Sequence, residues 1–374
     1  MDRDFAEHFA RHWIDSWNSY EIDRIVYRLI PACVLASIIV SLSSSLFAAE
    51  VTETNNNEPV AIIDTHAHVL RGWRPRTPFP AGANLLRAMD SYRVEKTILM
   101  PPPFPPNHRG VYGLHELEPL VRAAPGRFAF AAGGESLNAM IQQTAPDRVT
   151  PDLIREFRQE AEVIAKAGAA GFGEFAAEHF SSGAGNHPYE SAPPDHPLLL
   201  ALADIAAQYG MPIDLHMEAV PQDMPFPQKR SSRGQNPETL KENISGLNRL
   251  LEHSRNARIV WVHAGWDLTG ERTVPLMRSL LAKNPNLYMS IKLDMSGFRV
   301  TSPFGPEDRL KPGWLMMLRA FPDRFVIGSD QFFDEGTERL SLARKFVDEL
   351  PPEMARAVAS ENARRIYRLE IKTK

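Results

Sequence analysis

Ala61-Ile-Ile-Asp-Thr-His-Ala-His-Val69 is an apolar run that ends in the pattern Asp64-x-His66-x-His68. Side chains alternate faces along a strand, so His66 and His68 leave one strand end on the same side. Two neutral imidazoles on a rigid apolar strand can take two positions on one divalent ion. An H-x-H pair alone does not define a site. Glu174, His216, His263 and Asp330, however, also stand at the C-terminal ends of apolar, strand-like runs. A lone strand histidine such as His216 or His263 is ordinarily a core residue satisfied by a backbone carbonyl, and Asp330 alone could cap a helix. Glu174 is harder to explain that way, because a carboxylate ending an apolar strand is rarely buried unless paired or bound to metal.

Working outward, strand-like runs lie at Val60 to Asp64, Lys96 to Met100, Arg127 to Ala131, Ala170 to Glu174, Pro212 to His216, Ile259 to His263, Leu287 to Lys292 and Phe325 to Gly328. Helical patterns separate them, at about Asn84 to Tyr92, His115 to Ala123, Pro151 to Ala167, Pro197 to Tyr209, Pro237 to Ser254, Arg272 to Ala282, Pro312 to Ala320 and Glu335 to Glu349. Eight strand–helix units imply parallel strands, right-handed crossovers and a closed (β/α)8 TIM barrel. An extra C-terminal helix, Pro352 to Leu369, follows. Helix-to-strand connections are short and carry Gly, Pro or Asn stops, whereas strand-to-helix connections are long, so the working face is the C-terminal mouth.

The chain has 374 residues, a formal charge of −4 and a pI near 6.3. Nothing in this balance points to nucleic acid, and a small-molecule substrate is the expectation. The one cysteine is Cys33, which excludes an intrachain disulfide and a thiolate metal site in the barrel. Leu29 to Ala49 carries no charge and reads as an N-terminal hydrophobic leader over residues 1–49, with Ala48-Ala49 as a cleavage site, a linker at 50–59 and the barrel at 60–374. The expected location is outside the cytoplasm, periplasmic or extracellular. Residues 1 to 28 carry more acids than arginines, which does not suit a signal flank. Membrane anchoring through an uncleaved segment, or a cytoplasmic protein that starts later, stays open. Nothing in the composition excludes an oligomer.

Taken together, His66, His68, Glu174, His216, His263 and Asp330, with the closing stretch Ser360-Glu-Asn-Ala-Arg-Arg-Ile-Tyr367, resemble the amidohydrolase-related (amidohydrolase family 2) metal-dependent hydrolases with a TIM-barrel fold. The resemblance runs from about Val60 to Leu369. It implies that these six residues form the metal and catalytic set around one or two divalent ions, zinc being the first expectation, with Asp330 and His263 in catalytic roles. At strand four many relatives carry a carboxylated lysine, whereas Gly173-Glu174 resembles the variant that uses glutamate. Two arrangements stay open: all six residues on two ions bridged by Glu174, or one ion on His66, His68, His216 and Asp330 with His263 polarising a substrate carbonyl. Either would activate water against an amide, ester or lactone, with Asp330 as proton acceptor. A non-oxidative decarboxylase resembling aminocarboxymuconate semialdehyde decarboxylase, or a non-catalytic exported metal-binding barrel, are the alternatives.

The rim suggests substrate contacts from Arg71, Trp73, Trp266, Lys292 and Arg299, which could hold an anionic group and an apolar body. His108, His115, His179, His187, His196 and His253 read as surface residues. Asp195 reads as the residue near the cap of the helix that follows it.

Overall fold

The computed structural model describes residues 59–69, 82–108, 110–181, 187–227, 235–294, 297–333 and 336–369. The compact unit Asn57–Lys374 contains the barrel. The leader, most of the linker, and Arg71 and Trp73 lie outside the described residues.

Eight parallel strands run around the barrel: β1 (Ile62–His68), β2 (Val94–Leu99), β3 (Phe128–Gly133), β4 (Gly171–His179), β5 (Pro212–Met217), β6 (Arg258–Ala264), β7 (Leu287–Ile291) and β8 (Phe325–Ile327). They pair in sequence order, and β8 closes on β1 with Asp64 opposite Ile327. Helices α1 (Gly82–Ser91), α2 (Leu114–Ala123), α3 (Leu137–Gln143), α4 (Pro151–Lys166), α5 (Pro197–Tyr209), α6 (Ile244–His253), α7 (Val274–Lys283), α8 (Pro312–Ala320) and α9 (Glu338–Asp348) lie between and after them. The starts follow local rules. Thr150 accepts a hydrogen bond from Leu153 N at 3.2 Å ahead of Pro151, and α5 stops at Gly210 in the left-handed region at φ 62°.

Two local readings change. Helix α3 sits inside the stretch that reads as a loop between Gly133 and Thr150, because seven residues are too few to show a helical period clearly. The pattern from Pro237 contracts to α6, since Thr239–Leu240 instead pairs with Met224–Pro225. The cap ahead of α5 is His196, whose Nδ1 accepts from Leu198 N at 3.2 Å, with Asp195 next to it. The final helix is continuous, as the sequence reads, and passes from α10 (Pro352–Arg356) through a wider π-helical turn at Ala357–Glu361 into α11 (Asn362–Ile366).

Two layers of core result. Ile62, Ala67, Phe172, Phe175, Trp261 and Trp314 pack between barrel and helices. Ile63, Ile98, Ala131, Val260, Val262 and Val326 fill the barrel interior, joined from below by Ile366 and Tyr367. Strict alternation would put Ile63 and His66 on opposite faces. They share the interior because β1 carries an extra residue: Asp64 opposes Thr97 while Ala67 opposes Leu99, three steps against two. The same excess occurs on β4, where Phe172 and Phe175 oppose Ile213 and Leu215, and on β6, where Trp261 and Ala264 oppose Met289 and Ile291. Each extra residue sits where His66, Glu174 or His263 must be turned into the barrel mouth.

β8 approaches β1 so closely that only glycine fits at position 328, where an added Cβ would stand 2.9 Å from His66 Cβ and overlap the Ser290 side chain. Asp330 N donates to His66 O at 2.8 Å just beyond it. Gly328→Ala is therefore expected to destabilise the fold by about 1–3 kcal/mol through overpacking. Denaturant unfolding of the variant against the parent measures this, and an unchanged midpoint would contradict the close approach.

Candidate metal centre

The strand ends bring donor atoms of His66, His68, Glu174 and Asp330 close together. His66 Nε2 and His68 Nε2 each lie 3.6 Å from Glu174 Oε2, and stand 3.9 and 3.1 Å from Asp330 Oδ1. Donors about 2.0–2.2 Å from a zinc ion are roughly 3.3 Å apart at tetrahedral corners, so these gaps match one shared ion. All four residues are buried. His66 Nε2 is buried without a hydrogen-bond partner, as are both ring nitrogens of His263. Buried polar atoms are normally satisfied, and an ion accounts for this exception. The donor set fits a divalent metal.

The opposite ring nitrogens are anchored, as ligand histidines require. His66 Nδ1 donates to Asp214 Oδ2 at 3.3 Å, and His68 Nδ1 donates to Met100 O at 2.9 Å. Glu174 divides its oxygens. Oε2 faces His66 and His68, while Oε1 accepts from His216 Nδ1 at 2.7 Å and lies 3.9 Å from His263 Nε2. The far nitrogen of His216 lies 3.6 Å from Glu218 Oε1. His216 thus arrives as a hydrogen-bond partner of Glu174, outside the groups His66–His68–Asp330 and His66–Glu174–His263 whose donor atoms all lie within 4.8 Å of one another.

Asp330 and His263 both hold positive φ, 55° and 71°. Non-glycine residues there are uncommon and cluster at functional sites, where surrounding structure compensates the cost. Behind Asp330 stand two cations. Lys292 Nζ lies 2.5 Å from Oδ2, and Arg339 Nη1 donates to Oδ2 at 2.9 Å and to the Asp330 carbonyl. Burial would raise the Asp330 carboxyl, but Lys292 and Arg339 outweigh it and hold it well below the usual range. Burial also opposes the Glu174 charge, and His66 and His216 override it in the same direction. Burial disfavours a charged His66 ring, yet Glu174 and Asp214 lift it to about 10. His263 goes the other way, kept neutral by burial and by the Lys292 charge.

The cavity over these donors has a volume of about 250 Å³, smaller than a drug-sized site. Phe104, His179, His187, Trp266, Lys292, Phe332 and Arg339 complete its wall. Lys292 Nζ stands 3.4 Å over the Trp266 ring. Arg299 is exposed and does not line this cavity; it borders a separate cleft with Asp294 and Lys345. Three surface assignments also change. His187 and His196 are buried and His179 lines the cavity, because the rim loops fold inward over the mouth, whereas His115 and His253 are exposed. A larger cavity of about 600 Å³ opens at the opposite end of the barrel, beside Lys96, Tyr209 and Tyr367, and is not lined by the clustered donors.

The site also uses residues not picked from the sequence. Asp214 was detectable as an acid inside the apolar run Pro212-Ile-Asp-Leu-His216. Arg339, nine residues beyond Asp330 at the start of α9, left no such signal.

A closed (β/α)8 barrel with clustered histidine and carboxylate donors at its C-terminal mouth has the architecture of a metal-dependent barrel enzyme. The amidohydrolase family model matches residues 63–369, and the chain belongs to that family. No curated protein matches it in sequence. Similar solved structures include an uncharacterised TIM-barrel protein from Bordetella bronchiseptica, 14% identical with a TM-score of 0.47, covering 82% of this chain and 98% of that one. A 5-carboxyvanillate decarboxylase from Sphingomonas paucimobilis is 13% identical with a TM-score of 0.47, covering 83% and 100%. Dihydroorotase from Saccharomyces cerevisiae is 14% identical with a TM-score of 0.47, covering 83% and 85%. Likenesses this distant say nothing of substrate.

The state of His66 sets a pH dependence. Its sequence position alone would confine proton competition to below the ordinary histidine value of ~6.5. Lifted to about 10, the ring carries a proton at neutral pH that an ion must displace. Affinity therefore falls as pH drops and rises as pH climbs towards 10. Zinc titrations should show about tenfold tighter binding per pH unit between 7 and 9, with about one proton released per ion. Calorimetry in buffers of different ionisation enthalpy measures both, and a flat profile above pH 7 would contradict the assignment.

Proposed function

We propose that this protein is a metal-dependent hydrolase acting on an amide, ester or lactone of a small molecule. The observation that carries the reading is the convergence of His66, His68, Glu174 and Asp330 beneath a small cavity. A divalent ion held by these four, most suitably zinc, would supply Lewis acidity towards a carbonyl and acidify water at neutral pH. Asp330 is the proton carrier. Its Oδ1 faces His66 and His68 and its Oδ2 is shared with Lys292 and Arg339, so the carboxylate stands beside the position where a water proton would be taken up and returned. The same two cations weaken it as a base, which favours passing that proton on to the leaving group. His263, neutral and with both nitrogens unpaired, either joins a second ion with His216 and Glu174 Oε1 or polarises the substrate carbonyl. Trp266 and Lys292 supply an apolar edge and a cation to the substrate, while Arg71 and Trp73 keep the contact roles read from the sequence. Export outside the cytoplasm remains part of the proposal.

A second ion there would bind more weakly, since it would compete with the direct 2.7 Å bond between Glu174 Oε1 and His216 Nδ1. Decarboxylation is the second reading, favoured by Lys292, a buried cation in the cavity wall that could pair with a substrate carboxylate.

An ester and lactone panel on zinc-loaded protein, with carbon dioxide release followed in parallel on carboxylic acids, separates the two. Hydrolysis lost by at least ~100-fold in His66→Ala, His68→Ala or Asp330→Asn is expected. Carbon dioxide without hydrolysis would replace the first reading with the second. Metal content against added zinc should show a tight step and a weaker one in the parent, and one step in Glu174→Gln. A parent that never exceeds one ion makes His263 the carbonyl polariser.

A further inference from the structure

The end of the chain reaches a candidate metal ligand through the floor of the barrel. Tyr367 follows α11 and is buried among Ile63, Ile98 and Val260. Its hydroxyl donates to Asp214 Oδ1 at 2.6 Å. The other oxygen of the same carboxylate, Oδ2, accepts from His66 Nδ1 at 3.3 Å. The remaining ring nitrogen, His66 Nε2, faces Glu174 and Asp330. Three side chains from the first strand, the fifth strand and the C-terminal segment thus form one chain of contacts that ends at the donor cluster.

A tyrosine is not needed merely to plug this floor. Phenylalanine would fill the same apolar space, and a buried hydroxyl is unfavourable unless it is bonded. Here it is bonded to a carboxylate, one of the stronger hydrogen bonds available, and it takes up the oxygen that His66 leaves free. With only the His66 contact, the Asp214 carboxylate could rotate and release the ring. With both contacts its orientation is set from two sides. That matters because the partner of a ligand's second nitrogen fixes both ring direction and tautomer.

We propose that Tyr367 is a positioning residue for the metal centre: its hydroxyl holds Asp214, and through Asp214 it aims His66 Nε2 at the ion. The inference rests on the metal reading above and adds that the last helical segment tunes that site from the end of the barrel opposite the donors.

The test is Zn2+ affinity of the full chain, read by competition with a chromophoric chelator, for the parent, Tyr367→Phe, Asp214→Asn and the double variant. Asp214→Asn should weaken binding by about 10- to 100-fold, the usual range for the partner of a ligand histidine, and Tyr367→Phe by about tenfold. The double variant should bind no more weakly than Asp214→Asn alone, because both changes cut one connection. A residue that only docks the helix would give independent losses that multiply. The ligand-field spectrum of the Co2+ form should shift in Tyr367→Phe, and 4-aminophenylalanine at position 367, which keeps ring and donor, should restore most of the affinity. Phenylalanine keeps every ring contact, and the melting temperature of the metal-free variant checks the fold. If Tyr367→Phe were unstable, the 4-aminophenylalanine variant would decide: affinity near the parent's supports the relay, and a tenfold loss overturns it. Affinity of Tyr367→Phe within twofold of the parent, or multiplying losses in the double variant, would overturn the relay while leaving the metal centre intact. A parent that binds no Zn2+ would overturn both.

Discussion

Two carboxylates, Glu174 and Asp330, are buried together at the mouth of the barrel, and the rest of the site answers to that constraint. A buried anion is costly unless it is paired and hydrogen-bonded. Asp330 is compensated from behind by Lys292 and Arg339, with His68 in front. Glu174 has imidazoles on both sides, His216 on one oxygen and the His66–His68 pair on the other. Without an ion, a proton on His66 supplies the positive charge closest to Glu174 on that side. The donors are already spaced for a cation, and the proton on His66 is its competitor.

The scaffold holds this arrangement by departing from regular strands, and three of the departures lie beside the donors. The extra residues on β1, β4 and β6 each turn a side chain inward that simple alternation would have placed differently. The positive φ of His263 and Asp330 is a second departure. Such conformations persist only where neighbours over-determine them. Around Asp330 those neighbours are visible: the hydrogen bond from its own N–H to His66 O, and Arg339 on its carbonyl. Below it, Asp64 accepts from Ser329 N at 2.8 Å and from Ser329 Oγ at 2.6 Å, which ties the turn after β8 to β1.

The fold was largely readable because its signals are local. Prolines at helix starts, glycine or asparagine stops and apolar runs ending in His or acid are each written within a few neighbouring residues. The errors fell where a local signal was short or overridden. Seven residues of α3 gave no clear period, and the start of α6 was taken over by the pairing of Thr239–Leu240 with Met224–Pro225. His187 and His196 looked like loop residues because sequence polarity does not tell whether a rim loop folds inward.

The sequence by itself determined the eight strand–helix units, the end of the barrel where the candidate donors gather and the residues His66, His68, Glu174, His216, His263 and Asp330 that the mouth brings together. Only the tertiary structure decided how they share the space. Which oxygen of Glu174 meets which histidine, and which cations restrain Asp330, depend on register. An extra residue in a strand reverses every side chain beyond it without leaving a mark in composition. The contact of Tyr367 with Asp214 spans 153 residues. No local pattern encodes such a contact, because barrel closure alone carries the chain's end beneath its first strand.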